Sequence, residues 1–529
     1  MNNETNPPEM GSDTHAECWE VLPTPPRRFP LTTPLTEDQF NEMPPGGRVE
    51  LVARALCHFN PDRFYCRNGR LVEVDPLTGR VLLVSATRAW ALAAPCLPLF
   101  AVGRQKTIPR DYGPLLVAHA ARCFPPLKGV RSFPFVTPEK TVARRPGYYK
   151  DTGILLRYPE RDVVPAPVSE GAARELLQSH LKDFSYEDGW STLSVLVILA
   201  EVVVAVAIGA PAPLHMIRAH DVRAGKTTLG AMLVALFLGC RPSFHGLPRN
   251  EVELPYSVAA TLDATPAPVL LLDNLPDGWV LADPLLERLF SASGPVPMRR
   301  AKSAGNIEPD PTMTTFIATA NRIGFSGGMR RRVSVVQLQQ QPPDKRFPYP
   351  DIVGQVLKAR MDLIGAVLTG FLRWRAAGFP EPQNLYPSFV LWSRWAGGLT
   401  ASLAELYFDH SAGRPGVGLY WVDEWLGQLG TESSPEDESW ASVLGAWDRN
   451  ARTGAWKPLS AKQVLELAET VEAEHLLDQA GNSVLEKSRQ IRLGIHLAKL
   501  AKSGRVVAGV RVVCTEHGNN RSYTPEEVK

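Results

Sequence analysis

The sequence predicts an α/β protein: a phosphate-binding-loop core, a small α+β domain before it, and a helical plus winged-helix region after it. Three observations carry this. Gly225-Lys226-Thr227 lies between a strand-like run, Pro213 to Arg218, and an apolar helical run, Thr228 to Gly239. Two further apolar runs each end in a polar residue, Ala267 to Asn274 and Thr314 to Asn321. Residues 457–529 carry three helix patterns followed by two strand patterns.

At 529 residues the chain is long enough for roughly two to four domains, each with its own core. A hydrophobic content of 44% and a charged content of 21% are those of an ordinary globular protein. The net charge of +2 means that any nucleic-acid surface is a local patch. Seven cysteines without a Cys-x-x-Cys pair argue against a zinc ribbon or disulfide framework and for a reducing cytoplasm. Residues 1–30 lack a basic-then-apolar leader pattern. The expected divisions are a loosely ordered tail at 1–45, an α+β domain at 46–165, the phosphate-loop domain at 166–382, a helical domain at 383–456 and a winged helix at 457–529.

In chain order, Asn68-Gly69 between strand-like runs signals a type I′ hairpin. Val81 to Val84 follows as a strand and Ala86 to Ala93 as a short helix. Lys128, Arg131, Tyr148, Tyr149 and Lys150 either touch a single strand by stacking and charge or are ordinary surface and core. Glu170 to Lys182 is helical. Trp190 to Ala210 has the length of a membrane span, but Glu201 at its centre and the loop directly behind it favour a buried helix.

In a phosphate-binding loop, backbone N–H groups and a helix N-terminus hold the anion. Arg223, Ala224, Gly225, Lys226, Thr227 and Thr228 take that role here, with Lys226 reaching the β/γ-phosphates of ATP and Thr227 binding Mg²⁺. His220 stands where the motif expects its first glycine. Asp273 reads as the carboxylate that holds the metal and its water, or else as a strand end that caps a turn. Asn274 follows it, and Asn321 is the amide that ends the second apolar run. Arg331 and Arg332 in the run Gly327 to Arg332 are candidate arginine fingers; an arginine cluster is otherwise a solvated face. Ser291 to Asp310 carries Arg299, Arg300 and Lys302, as a DNA-contacting hairpin or an ordinary surface loop. Asp351 to Ala377 is one long helical pattern. Trp392, Trp395, Trp421 and Trp425 suit a packed face.

Ser460 caps a helix over Ala461 to Glu469. A second helix follows, and Arg489 to Lys502 gives a third. Two strands then flank the turn at His517, the pattern of a winged helix. Arg489, Arg492, Lys499, Lys502 and Arg505 form a local basic patch able to neutralise phosphates. Winged helices also serve as protein–protein modules.

From about Gly147 onward the chain resembles the phage and mobile-element primase-helicase type ATPases, related to superfamily 3 and AAA+ replicative helicases. The resemblance rests on Gly147 to Gly153, the apolar helix before the loop, Asp273-Asn274, Thr319-Ala320-Asn321, Gly327 to Arg332, and Leu493 to Leu497 with Gly504 to Gly509. It implies an AAA+/superfamily 3-like ATPase domain over 166–382. It also implies an ATP- and Mg²⁺-dependent homo-oligomeric ring, a hexamer, acting in the cytoplasm on single-stranded, forked or origin DNA, with no membrane. Asp273, Asn274, Asn321, Arg331 and Arg332 would then serve hydrolysis. The chain departs from the pattern at His220 and at Asn274, where a glutamate commonly acts as general base; Glu251 and Glu253 are substitutes. No primase carboxylate set or zinc module is evident in the first 150 residues. The alternative is an ATP-controlled DNA-binding initiator or switch that does not unwind.

Overall fold

The computed structural model describes residues 19–24, 35–75, 78–97, 99–101, 104–159, 162–219, 223–242, 248, 251–276, 279–299, 306–321, 323–325, 327–341, 349–408, 417–429, 440, 443–444, 446–447, 456–471, 473, 477, 486–503, 506–507, 510–517 and 520–527. The chain divides into two compact units, 1–323 with 331–429, and 324–330 with 430–529.

The larger unit is built on a four-stranded sheet of β1 (Leu214–Ala219), β2 (Val269–Leu275), β3 (Thr315–Ala320) and β4 (Val333–Leu338). The spatial order is β2–β3–β1–β4 and every pairing is parallel. The strands are nearly continuous apolar runs because both faces are covered. Helices α1 (Glu170–Leu181), α2 (Gly189–Ile208), α3 (Lys226–Leu238) and α4 (Pro284–Ser291) surround the sheet. Phe316 meets Phe290 of α4 edge to face at 4.9 Å. The next residue, Ile317, points to the opposite face and shares its register with Leu271. There α3 comes close at Gly230, where an added Cβ would stand 3.1 Å from Leu271 and 3.4 Å from Thr319.

Helix α2 starts at Asp188, whose carboxylate accepts the Ser191 N–H at 2.7 Å, and stops at Gly209 in the left-handed region, φ 50°. It is long and apolar enough to cross a membrane, and it is buried within this unit. Its one acidic residue is hydrogen-bonded locally: Glu201 Oε2 lies 2.7 Å from His215 Nε2 and accepts Trp392 Nε1–H at 2.7 Å. Trp392 and Trp425 are buried 6.0 Å apart, and Trp425 donates to Ser194 of α2.

The long helical pattern at Asp351 to Ala377 is two helices, α5 (Ile352–Lys358) and α6 (Arg360–Ala376), broken at Ala359. A tertiary contact accompanies the break. Buried Arg360 donates from Nε to Leu236 O at 2.7 Å and from Nη2 to Phe237 O at 3.1 Å and Ser132 O at 2.7 Å. A cation there meets the carbonyls at the end of α3, where the helix dipole favours it.

Toward the N-terminus, Phe64–Arg67 and Arg70–Val74 pair through Asn68 and Gly69, both at positive φ (50° and 72°), as a type I′ turn requires. Arg67 donates to Leu262 O at 2.7 Å and to Asp263 O. Arg131, Tyr148 and Tyr149 are buried, which removes them from any single-strand contact. Arg131 donates to Met313 O at 2.6 Å, and burial lowers its guanidinium to about 10. Lys128 and Lys150 are exposed.

In the smaller unit, α7 (Ala461–Thr470) begins at a Ser460–Gln463 capping box. Helix α8 (Glu486–Ser503) packs on an antiparallel sheet of β5 (Val506–Val507), β6 (Val510–His517) and β7 (Asn520–Glu527). Val464, Leu465, Leu493, Leu497, Val512 and Tyr523 form the core, and Tyr523 donates to Gly494 O at 2.9 Å. Most of the chain between α7 and α8, where a second helix is expected, lies outside the described residues, as does part of the turn after His517.

Candidate functional site

The site gathers where strands β1, β2 and β3 end. Beyond the carboxyl ends of parallel strands, connections part and leave a crevice. After β1 the description resumes at Arg223, in the left-handed region with φ 67°. Ala224 is buried, and Gly225, φ 88°, is the N-cap of α3. No side chain caps this helix start. Its first-turn N–H groups and the helix dipole can therefore hold an anion, with Lys226 as the first helical residue.

The neighbouring strand ends supply oxygens. Asp273 Oδ1 accepts two hydroxyls, Thr227 Oγ1–H at 2.9 Å and Thr319 Oγ1–H at 2.6 Å. Thr319 Oγ1 also accepts the Asn274 N–H at 2.7 Å. One hydroxyl thus ties β3 to the end of β2 while Asn274 takes up φ 58°. Asn321 Oδ1 is buried and has no hydrogen-bond partner among the described residues. A cavity of about 520 Å³ opens over this edge, within the usual range of small-molecule sites, roughly 300–1,000 Å³. Arg223 to Thr228, Asn274 and Asn321 line one part of it; His180, Phe184, Gln341 and Tyr349 line another.

The donor set suits a hard divalent cation. A Thr227 hydroxyl beside an Asp273 carboxylate offers oxygen ligands of the kind Mg²⁺ takes, one or two from protein and the rest from phosphates and water. Among the described residues no group of three or more His, Cys, Asp or Glu could hold a metal alone.

Arg331 is exposed. Arg332 is committed to its own chain, donating from Nε to Ser291 Oγ with Nη1 3.8 Å from Glu287 of α4. Glu253 is exposed and does not line the cavity. Met298–Arg299 pairs antiparallel with Asn306–Ile307, and Arg299 is exposed; Arg300 and Lys302 lie outside the described residues. On α8, Arg489 pairs with Glu469 at 2.6 Å and Arg492 is exposed. The side chains of Glu251, Lys499 and Lys502, and all of His220 and Arg505, lie outside the described residues.

Sequence reasoning assigned no role to Thr319, His180, Phe184, Gln341 or Tyr349. Thr319 had a signal: a hydroxyl inside an apolar run, two residues before Asn321. The other four come from segments far apart in the chain, and no local pattern links them to the loop.

No protein-family model and no curated protein matches the chain. Solved structures similar to it include the apo C-terminal region of NrS-1, at 11% identity and TM-score 0.37, covering 88% of this chain and 96% of that one. The SCCmec type IV Cch active helicase is similar at 10% identity and TM-score 0.32, covering 89% and 98%. JCV helicase is similar at 14% identity and TM-score 0.19, covering 52% and 63%. The overlaps are loose.

Proposed function

We propose that the chain is an ATP-dependent DNA helicase or translocase, acting as a homo-oligomeric ring, a hexamer, in DNA replication of a phage or integrative mobile element. One observation supports this above the others. Lys226, Thr227 and Asn321 line one cavity of nucleotide size, and Asp273 accepts the Thr227 hydroxyl beside it.

In this reading, the α3 N-terminus and Lys226 hold the triphosphate, and Thr227 and Asp273 hold Mg²⁺. When bound, the ion supplies charge neutralisation at the β/γ-phosphate oxygens. Asn321, whose Oδ1 is buried without a partner, orients a water. The water oxygen bonds to the γ-phosphorus, the bond to the β–γ bridging oxygen breaks with its electron pair leaving on ADP, and the water proton passes to solvent. Arg331 is the arginine suited to act on a neighbouring subunit's nucleotide, because Arg332 is held by Ser291 and Glu287. The hairpin carrying Arg299 and the winged helix of residues 457–529, with exposed Arg492, would contact DNA.

A second reading, an ATP-controlled initiator or switch without unwinding, draws on Asn274. An amide lines the cavity at the position after Asp273, where a carboxylate would serve as base. Steady-state ATP hydrolysis with and without single-stranded DNA, on wild type and Lys226→Ala, separates the two. Turnover that DNA raises and Lys226→Ala abolishes is the expected result. Binding without turnover favours the switch, and no binding removes both.

A further inference from the structure

A second cavity, of about 200 Å³, lies in the N-terminal part of the larger unit, and none of its lining residues belongs to the phosphate loop. The helix Pro45–Phe59 supplies Arg54 and Cys57, and the short helix Ala120–Cys123 supplies Arg122 and Cys123. Lys150 follows the strand Gly147–Tyr149. The cavity is smaller than the roughly 300–1,000 Å³ of a drug-sized site, so it suits a ring-sized body and not a whole nucleotide.

The lining has two characters. Tyr65, Phe124 and Tyr148 are buried and present apolar surface, with the two tyrosine rings 5.2 Å apart. The Tyr148 hydroxyl donates to Pro126 O at 2.6 Å. Burial pushes the Cys123 thiol up, so it stays protonated and adds no negative charge. Arg54, Arg122 and Lys150 are exposed and make the rest of the lining cationic.

Two carboxylates stand near these cations. Glu50 lies 3.4 Å from Arg122 Nε and 3.7 Å from Arg54 Nη2. Asp62 is pushed up by burial, against the pull of the Tyr65 hydroxyl and Arg157. Glu50 offsets one arginine and Arg157 offsets Asp62, which leaves an excess of positive charge among the described residues. Residues 25–34, which continue from Thr24 of the lining, lie outside the described residues; they hold Arg27 and Arg28 and no acidic residue. Guanidinium forks and an ammonium match an oxyanion. Several cations around one opening favour a dianion over a singly charged carboxylate, and a phosphate monoester carries about −1.5 to −2 at pH 7.

We infer that this cavity binds a phosphate monoester on a ring-sized body, the phosphate held by Arg54, Arg122 and Lys150 and the body against Tyr65 and Phe124. A free small phosphate and the 5′-phosphate at the end of a DNA strand offer the same chemistry. The site stands whether or not the phosphate loop binds ATP.

The thiols of the cavity can report its occupancy. Cys57 and Cys123 are half-buried in the lining, and exposed Cys240, just past α3, is an internal control. On the full chain, iodoacetamide alkylation is followed at each cysteine by mass spectrometry. Phenyl phosphate should slow alkylation of Cys57 and Cys123 at a half-protecting concentration about tenfold or more below that of benzoate. Benzyl alcohol should protect little, and Cys240 should react at one rate throughout. The double variant Arg122→Gln with Lys150→Gln changes only exposed side chains. It should raise the half-protecting concentration of phenyl phosphate about tenfold or more, with the unliganded rates at all three cysteines as in wild type. Oligodeoxythymidylates with a 5′-phosphate or a 5′-hydroxyl separate the two sources. Protection by the phosphorylated strand at a lower concentration than phenyl phosphate assigns the site to a DNA end, and protection by phenyl phosphate alone assigns it to a free metabolite. The inference is overturned if neither phosphate protects, if benzyl alcohol protects as well as phenyl phosphate, if both strands protect equally, or if the double variant is protected like wild type.

Discussion

The parallel sheet of the larger unit is covered on both faces, whereas the antiparallel sheet of the smaller unit alternates buried and exposed residues. In β1 to β4 the polar residues His215, Thr315, Thr319 and Ser334 are all buried. Along β6 and β7, Val512 and Tyr523 are buried while Arg511, Thr515, Arg521 and Glu526 face solvent. A polar side chain costs little in the second setting and much in the first unless it is hydrogen-bonded. In the covered sheet His215 has a structural partner in Glu201 and Thr319 a place at the site beside Asp273, whereas Thr315 Oγ1 and Ser334 Oγ have no hydrogen-bond partner among the described residues.

The sharpest way to break this contrast is Asp273→Asn. It alters the strand end where hydroxyls from α3 and β3 converge, and turnover should fall at least about a hundredfold with the thermal midpoint little changed. A parallel loss of folding would reduce Asp273 to a structural strand end. Thr319→Val keeps the shape and removes the hydroxyl that holds Asp273 and Asn274. Supporting contacts of this kind are worth roughly 10–100-fold, so turnover should drop by that factor and the half-saturating Mg²⁺ concentration should rise, with Thr319→Ser restoring most of both. Unchanged Mg²⁺ dependence would reduce Thr319 to packing.

Away from the strand ends the same burial should register as stability. Glu201→Leu leaves His215 and Trp392 without their acceptor, at about 1–3 kcal/mol for each buried group left unpaired. Urea unfolding measures this, and a midpoint equal to wild type would show that the pair contributes nothing. The smallest effect is expected on the exposed sheet. Arg511→Gln should change stability by less than about 0.5 kcal/mol. If this sheet meets duplex DNA, the substitution should weaken binding evenly across sequences and lower the salt slope by about 1. Sequence-selective loss would assign Arg511 to base contact.

Much of the scaffold is legible from short-range rules. The hairpin follows from Asn68-Gly69, whose positive φ values few residues tolerate. The start of α7 follows from Ser460 and Gln463, three residues apart. Strands β1, β2 and β3 of the parallel sheet follow from their nearly continuous apolar runs. Each depends on groups within about one turn of each other, or on a side-chain period, and so is written in neighbouring letters.

Other features required the chain to come back on itself. The Asp351 to Ala377 pattern gives no sign that Arg360 caps α3 and that the helix breaks before it. Arg331 and Arg332 are equivalent as letters; only Ser291 and Glu287 distinguish them. The ambiguity of α2 between membrane span and buried helix is resolved by His215 and Trp392 around Glu201. The aromatic wall joins His180 and Phe184 to Gln341 and Tyr349, far apart in the chain. Sequence determined the elements because backbone geometry and hydrophobic period are local. Tertiary structure decided which polar atoms find partners, because desolvation is set by whatever packs against a residue, however distant in the chain.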